Sequence, residues 1–111
     1  MTLENLVGDI LDYAKSNPKG FTRFLDGEIP RKGFVVAYKE TQHSYGKDGL
    51  RKCLLHAIDH DGIIGGWINE DGKLQFDSSQ IIYDLDEAIE AGRKNDQVSI
   101  FYLNKGCEIL M

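Results

Sequence analysis

One stretch, Asp61 to Asp77 (DGIIGGWINEDGKLQFD), constrains the fold more than any other part of the chain. It has the pattern of a β-hairpin whose turn begins at Asn69 and closes at Gly72, because Asn favours the first position of a type I turn and Gly adopts the positive φ that follows. A three-residue loop then pairs Asn69 with Lys73. This register places four apolar residues on one face, Ile64, Ile68, Leu74 and Phe76, and a second set on the other, Trp67, Gln75 and Asp77. A two-residue Asp-Gly loop would scatter the apolar residues over both faces, so the sequence predicts the three-residue loop.

The adjacent glycines Gly65 and Gly66 need a physical reason, since glycine weakens a strand interior. A β-bulge, or a helix packed close over the sheet, would account for them. The alternative is a backbone that is open to a ligand beside Trp67. Further along the second arm, Ser78 and Ser79 are also compatible with a bulge.

Three segments have the apolar spacing of amphipathic helices. The first follows a Thr2 cap and ends before residue 18. The second spans about 48 to 60. The third begins at an Asp84 cap, with Glu87 completing a capping box, and Asn95 is expected to adopt the left-handed conformation that ends it.

Strands are predicted at residues 34–39, 97–103 and 107–110, because these runs are rich in β-branched and aromatic residues. From Phe34 onward the order is therefore β-α-β-β-α-β plus one strand, which is the split βαβ or ferredoxin-like order. We expect an α+β fold with a ferredoxin-like antiparallel sheet, an added C-terminal edge strand and an N-terminal helix. The expected organisation is one domain over residues 1–111, with the helix in 1–17 and a βαββαββ core in 34–110.

Two of these strands carry apolar residues on both of their faces. In a sheet with one face exposed to water, only the buried face would be apolar, so both faces of this sheet are expected to be covered. Val35 and Phe101, for example, alternate with equally apolar neighbours. The two crossover helices can cover only one face, because both connections are right-handed. The sequence therefore predicts that the N-terminal helix covers at least part of the second face, with a homodimer as the alternative.

Composition narrows the functional classes. A chain of 111 residues is long enough for one core, and its hydrophobic content of 41% is well above that of disordered segments. The net charge of −5 disfavours nucleic acid as a partner. There is no apolar run near 18 residues, and the acidic first residues lack the basic start of a signal peptide, so we expect a cytoplasmic protein without a membrane span. Cys53 and Cys107 form no metal spacing and are expected to be free thiols.

The segments GFT, DGEIP, GFVVA, GGWINEDGKLQFD and LDEAIEAGRKNDQVSIFYLNKGCEI together resemble a family of small uncharacterised bacterial domains. That family is associated with phages, conjugative elements and large multidomain mobile-element proteins. The likeness covers about residues 20–109, and the N-terminal helix is particular to this chain. The resemblance implies a genomic context. It supplies no catalytic or binding residues.

Few residues suggest chemistry. His56 and His60 share a helix face with Asp59 and Asp61 nearby, but zinc requires further ligands and this spacing is common. We therefore expect a boundary or solvated pair, with no metal and no cofactor. A second possibility is nucleophilic catalysis by the loop that contains His43 and Ser44. Neighbouring residues on an extended chain point apart, however, so no catalytic residue is assigned.

The Asp77–Ser79 segment has the composition of a turn or bulge. The alternative is a polar pocket that these residues form together with Glu40.

The sequence thus favours a small non-catalytic module that binds a protein partner. Trp67 is expected to anchor the partner together with Tyr38 or Phe101, and the loop residues Gln42, His43 and Tyr45 are further binding candidates. The alternative is a small-ligand-binding protein or enzyme that uses the Gly-Gly-Trp strand and the His43 loop. A third reading, a nucleic-acid binder using sheet aromatics, conflicts with the charge. A flat apolar surface would favour the protein binder, and a deep pocket with convergent polar groups would favour the ligand-binding protein.

Overall fold

A computed structural model describes all residues from Met1 to Met111, and the chain has the α+β fold that the sequence predicts. The helices are α1 (Leu3–Ser16), α2 (Gly46–Ile58) and α3 (Leu85–Lys94). The strands are β1 (Phe21–Phe24), β2 (Phe34–Ala37), β3 (Ser44–Tyr45), β4 (Ile63–Ile68), β5 (Leu74–Ile82), β6 (Ser99–Tyr102) and β7 (Cys107–Leu110), with a short 3-10 helix at Lys39–Thr41. None of the helices combines the length and the apolar character needed to cross a membrane.

All seven strands form one antiparallel sheet in the order β1-β4-β5-β2-β6-β7, with β3 paired to β5. Strand β5 is the longest, at 9 residues. One of its edges pairs with β4, and its other edge pairs first with β3 and then with β2. The sequence predicts β7 at one edge. At the other edge, β1 pairs with β4, which is distant in the chain.

The β4–β5 hairpin has the predicted register. Ile68 pairs with Leu74, and the Asn69 amide donates to the Lys73 carbonyl at 2.9 Å. Gly72 closes the turn with φ +76°. Trp67 therefore lies on the face opposite Ile64, Ile68, Leu74 and Phe76, as expected from the three-residue loop.

The two predicted bulges are wrong, because the pairing of β4 with β5 continues without interruption from Ile63–Ser79 to Ile68–Leu74. The glycines are explained by side chains that pack against their Cα atoms. A Cβ on Gly66 would lie 2.6 Å from the Phe21 ring and 3.0 Å from the Phe76 ring. A Cβ on Gly65 would lie 2.7 Å from Asp77 Oδ1. Neither a helix nor an opening to solvent is the reason for this pair.

All three helices pack on one face of the sheet, here called the closed face, which carries Ile64, Phe76, Phe34, Val36 and Ile100. One core cluster joins apolar residues of α1 and α2 to Ile64 and Phe76. A second cluster joins Ala88 of α3 to Phe34, Val36 and Ile100. Strand registers show that both clusters lie on the same face, since Val36 pairs with Gln80, which has the same orientation on β5 as Phe76.

The prediction that the N-terminal helix covers the second face is therefore wrong. The α1 residues Val7, Ile10 and Ala14 are buried beside α2 on the closed face. Strand β1 widens the sheet beyond β4, so a third helix fits there, and Arg23 of β1 binds Asp9 of α1 with Nη2 3.2 Å from Oδ2. No helix packs on the opposite side of the sheet, here called the open face.

The helix starts follow the predicted capping rules in part. Thr2 caps α1 with a full capping box, because its Oγ1 accepts from the Asn5 amide and Asn5 Oδ1 accepts from the Thr2 amide. Asp84 caps α3 as predicted, with Oδ2 3.0 Å from the Glu87 nitrogen. Glu87 does not return the bond, so the box at α3 is only half formed.

The stop of α3 lies one residue later than predicted. Asn95 has φ −98°, and the left-handed residue is Asp96, with φ +56°. Asn95 instead uses its side chain as a bridge, because Nδ2 donates to the Ala91 carbonyl and Oδ1 accepts from the Lys39 amide. This residue therefore ties the end of α3 to the segment that follows β2.

Candidate functional site

Two aromatic residues flank a glutamine on the open face. Gln75 of β5 pairs with Trp67 of β4 on one side and with Tyr45 of β3 on the other. Neighbouring strands are separated by about 4.8 Å, so the Cα atoms of Trp67 and Tyr45 are about 10 Å apart. Tyr45 is 40% exposed, and the Lys73 ammonium lies 5.9 Å from the centre of its ring. Trp67, Gln75 and Tyr45 are called the aromatic row below.

Tyr45 reaches this position because its neighbour Ser44 is fixed inside the protein. Ser44 is buried, and its hydroxyl donates to the Thr41 carbonyl at 2.7 Å. Gly49, in the first helical residues of α2, lies so close to the Ser44 backbone that a Cβ there would collide with it. Since successive side chains of a strand point to opposite faces, burial of Ser44 turns Tyr45 onto the open face.

The open face is poor in charge. Strand registers assign it the following residues: Thr22, Phe24, Val35, Ala37, Tyr45, Ile63, Gly65, Trp67, Gln75, Asp77, Ser79, Ile81, Ser99, Phe101, Glu108 and Leu110. None of them is Lys or Arg, although charged residues make up 28% of the chain. Leu110 is 77% exposed on this face. Apolar and neutral polar groups therefore dominate the face that no helix covers, and its central residues Val35, Ile63 and Ser79 are buried by their neighbours.

Asp77 is the one carboxylate in the middle of this face. It is only partly exposed, and burial raises its pKa above the usual value, while the hydrogen bond that Ser79 Oγ donates to Oδ1 at 2.7 Å acts in the opposite direction. A negative charge is costly where water is excluded. The protonated form of Asp77 is therefore favoured more than that of a carboxyl group in water.

Two depressions of about 400 Å³ lie at the two ends of β4, and both are wide open to solvent. One lies at the hairpin tip, where Trp67 meets Glu70 and Asp71. The other lies at the opposite end of β4, next to Phe24. Neither has the depth of the ligand pocket that would favour a small-molecule receptor.

A separate polar cluster lies on the closed face at the end of α2. The rings of His56 and His60 stack with centroids 3.7 Å apart, and the Tyr38 ring lies 4.9 Å and 5.1 Å from them. Tyr38 donates its hydroxyl to Asp61 Oδ1 at 2.8 Å. Burial raises the pKa of Tyr38, and the hydrogen bond to Asp61 and the negative charge of Asp61 raise it further. His60 Nδ1 donates to the His56 carbonyl at 2.7 Å, which fixes the stacked arrangement.

His56 is the boundary residue of the pair and His60 is the exposed one, but the contacts of His56 could not be predicted from the sequence. Its side chain is 14% exposed, Nδ1 lies 2.8 Å from Ser78 Oγ, and Nε2 lies 3.6 Å from Glu40 Oε2. Serine, histidine and glutamate in series resemble a catalytic relay, but Ser78 has no exposed surface, so a substrate cannot reach its hydroxyl. The series instead links β5, α2 and the 3-10 helix. No three His, Cys, Asp or Glu side chains are placed to hold a metal ion.

The alternative of a polar pocket built from Asp77–Ser79 and Glu40 is only partly realised. Ser78 and Glu40 meet at His56 on the closed face. Asp77 and Ser79 lie on the open face, because residues alternate along β5. Desolvation and the neighbouring His60 lower the pKa of His56, while Glu40 and Asp59 act in the opposite direction.

The six binding candidates from the sequence do not form one site. Trp67 and Tyr45 share the aromatic row. Phe101 is also on the open face but beside Val35 and Glu108, in the half of the sheet near β7. Strand β3 is the feature that brings Tyr45 next to Gln75, and a two-residue strand leaves little signal in a sequence.

The other three candidates lie elsewhere. Tyr38 is in the histidine cluster of the closed face. Gln42 spans to the end of α3, where Nε2 donates to the carbonyl oxygens of Asn95 and Asp96 at 3.4 Å, so its contacts are structural. His43 is exposed and has the left-handed φ of +59°.

Comparison with known proteins adds no assignment, since no family model, curated protein or solved structure matches this chain. The resemblance to mobile-element domains stays a prediction from the sequence. The geometry of the open face and of the histidine cluster is therefore the basis for a functional proposal.

Proposed function

We propose that this chain is a small non-catalytic protein-binding module and that the open face, centred on the aromatic row, contacts the partner. The observation that carries the proposal is the pair Trp67 and Tyr45 on either side of Gln75, on a sheet face without a helix, where Lys73 beside Tyr45 is the nearest basic residue. Tyr and Trp are enriched at protein interfaces because they provide a large contact area with few rotatable bonds. Neutral neighbours reduce the desolvation cost of covering such a surface.

We further propose that β2, α2, β4, β5, α3 and β6 form a ferredoxin-like split βαβ unit. Two features support this: the neighbouring strands β4-β5-β2-β6 occur in that order, and both α2 and α3 pack on the closed face. Strands β1 and β7 then extend the unit at its two edges. In such an arrangement the second sheet face is free for binding.

The setting that we propose is the cytoplasm of a bacterium that carries a mobile element. The sequence resemblance supports it, and the partner would be a host protein or another product of the element. The acidic net charge of −5 favours a protein partner over nucleic acid.

The test places a photo-crosslinking amino acid at Gln75 and, as a control, at Leu55, which is 55% exposed on α2. We expect a partner to be captured through position 75 and not through position 55. With the identified partner purified, Trp67→Ala should weaken binding by about thirtyfold or more, as expected for a central aromatic anchor. Equal capture at both positions, or unchanged affinity of Trp67→Ala, would contradict the proposal, and a crosslink to a second copy would identify a homodimer.

A further inference from the structure

Strand β7 forms an open edge of the sheet. It pairs with β6 on one side only, because it is the last strand in the order. The Met111 amide donates to the Val98 carbonyl at 3.0 Å, so the Met111 backbone points towards β6. Since these directions alternate along an antiparallel strand, the N–H and C=O groups of Glu108 and Leu110 point away from the sheet. Both residues can therefore bond to a further strand.

The other edge of the sheet is already occupied in part. The Leu25 amide donates to the Gly62 carbonyl beside β4, and the Phe24 amide, on the outer side, donates to the Glu28 carbonyl at 2.8 Å. The chain after β1 thus folds back along this edge. Strand β7 has no such cover, and it carries neither Lys nor Pro, which commonly protect an exposed edge. An added strand is therefore expected at β7 and not at β1.

The side chains along this edge are apolar on the closed face. Cys107, Ile109 and Met111 alternate there, with Ile109 only partly buried and Met111 41% exposed. Helix α3 lies over β2 and β6 and contacts this row only at its end, where Met111 packs against Gly92. On the open face, Leu110 is largely exposed. The edge therefore leaves apolar surface uncovered on both faces.

We infer that β7 is a self-association edge, at which two copies of this chain pair antiparallel with Glu108 opposite the partner's Leu110. This register joins the outward-facing residues of both copies, so each pair exchanges hydrogen bonds. It places Ile109 opposite the partner's Ile109 at the two-fold axis and Cys107 opposite the partner's Met111. Every pair on the closed face is then apolar.

The other symmetric registers are less favourable. Placing Glu108 opposite the partner's Glu108 brings like charges together, which is destabilising in a cross-strand pair. Placing Leu110 opposite the partner's Leu110 shifts the pairing towards one end, so that Glu108 faces no residue of β7. A second copy therefore fits this edge in one register.

The pairing goes beyond the proposed function and does not depend on it, since the aromatic row lies in the other half of the sheet. Residues that face each other in a ladder lie on the same side of the sheet, so the open faces of both copies have the same direction. The dimer is a continuous sheet with all helices on one side and two aromatic rows on the other. A partner with two docking segments would bind it more tightly than it binds one copy.

The first test compares the dissociation constant of the dimer for Leu110→Glu and Leu110→Lys by analytical ultracentrifugation. Position 110 faces Glu108 of the partner subunit, so glutamate is repelled there and lysine is attracted. We expect the constant for Leu110→Glu to be about tenfold or more above that for Leu110→Lys at low salt, and salt to reduce the difference. Thermal unfolding of the dilute variants should be similar, because Leu110 is 77% exposed.

Cysteine crosslinking tests the register. The Cα atoms of a non-hydrogen-bonded pair are about 4.5 Å apart, which is within the range of a disulfide. Ile109→Cys should therefore link two copies when oxidised with diamide, in a Cys107→Ser background that removes the exposed native thiol. The control Leu110→Cys in the same background has the more exposed position but faces Glu108 of the partner subunit. It should link roughly tenfold more slowly or not at all.

Three outcomes would overturn the inference. The first is a chain that stays monomeric up to roughly 1 mM. The second is an equal dissociation constant for the glutamate and lysine variants, and the third is faster crosslinking at position 110 than at position 109. If a monomeric chain still captures a partner through Gln75, the proposed function survives and the β7 dimer does not.

Discussion

The carboxylate of Asp77 lies directly over the Cα of Gly65, so close that a Cβ on Gly65 would be 2.7 Å from Asp77 Oδ1. The two residues are cross-strand partners in the β4–β5 hairpin. Glycine at position 65 therefore lets an acidic side chain lie flat on the sheet, shielded by its neighbours from water. This explains both the unusual glycine pair and the raised pKa of Asp77.

Asp77→Asn should stabilise the protein at neutral pH by up to about 1 kcal/mol, because it removes a poorly solvated charge and keeps an oxygen that accepts from Ser79. The pKa of Asp77 is raised in the folded state above 3.8, so the ionised form costs stability at every pH above the folded pKa. That cost disappears as the pH falls through the folded pKa towards 3.8. Urea unfolding of both proteins should show a gap at pH 7 that closes with acid, and a constant gap would count against this explanation.

Gly66→Ala should destabilise the protein by about 1–3 kcal/mol, because the new methyl group would overlap the Phe21 and Phe76 rings. Gly8→Ala is the matched control, since Gly8 is exposed in α1 and has no neighbour within 4 Å of its Cβ position. It should stabilise by about 0.5–1 kcal/mol through helix propensity. Thermal unfolding of the two variants should therefore move in opposite directions, and a harmless Gly66→Ala would mean that the rings rearrange freely.

Acid should weaken the packing of α2 against β5 through His56. Its pKa is lowered below the usual 6.5 by desolvation first and by the charge of His60 second, while Glu40 and Asp59 act in the opposite direction. A base whose folded pKa is depressed binds fewer protons when folded, so its contribution is fully present above pH 6.5 and is lost as the pH falls from 6.5 through the folded pKa.

The measurement is the free energy of unfolding in urea between pH 8 and pH 5. His56→Gln should flatten the decline with acid. His43→Asn should leave the decline unchanged, because His43 is exposed and Asn tolerates its left-handed φ. A decline of the same slope in His56→Gln would show that other groups cause it.

Leu54→Ala should cost about 2–5 kcal/mol, because Leu54 has no exposed surface and its loss opens a cavity between α2 and the sheet. Its neighbour Leu55 is 55% exposed on the same helix, so Leu55→Ala should change stability by less than about 0.5 kcal/mol. Chemical denaturation of the two variants compares the same change, from leucine to alanine, at a buried and at an exposed position. Similar losses in the two variants would show that the apolar stripe of α2 is placed incorrectly.

Local patterns predicted the parts of the fold that local chemistry determines. The register of the hairpin follows from the Asn69–Gly72 turn and the alternation around Trp67, and Thr2 and Asp84 are caps because their side chains bond nearby amides. The position of α1 could not be read in this way. Its apolar stripe shows that it packs on something, but the partner depends on β1 joining β4, and the pairing of Phe21 with Gly66 has no signal in either segment.

The candidate site was predictable to the same extent. The hairpin register placed Trp67 and Gln75 together on one face. Tyr45 joins them only because β3 pairs with β5, and the backbone enters and leaves that short strand through positive φ values of +59° at His43 and +62° at Gly46. His56 lies at the boundary of the helical apolar stripe, and its burial is decided by Ser78, which comes from a distant strand.

Strand β5 connects the two core clusters, so we expect the molecule to unfold as a single unit. Phe76, in its first half, belongs to the cluster under α1 and α2, and Ile82, at its end, packs against the cluster under α3. Because one continuous strand contributes to both clusters, the loss of β5 from the sheet would disrupt both clusters together. Amide protons of β4 and β2 should consequently exchange through the same global opening, although the two strands never touch.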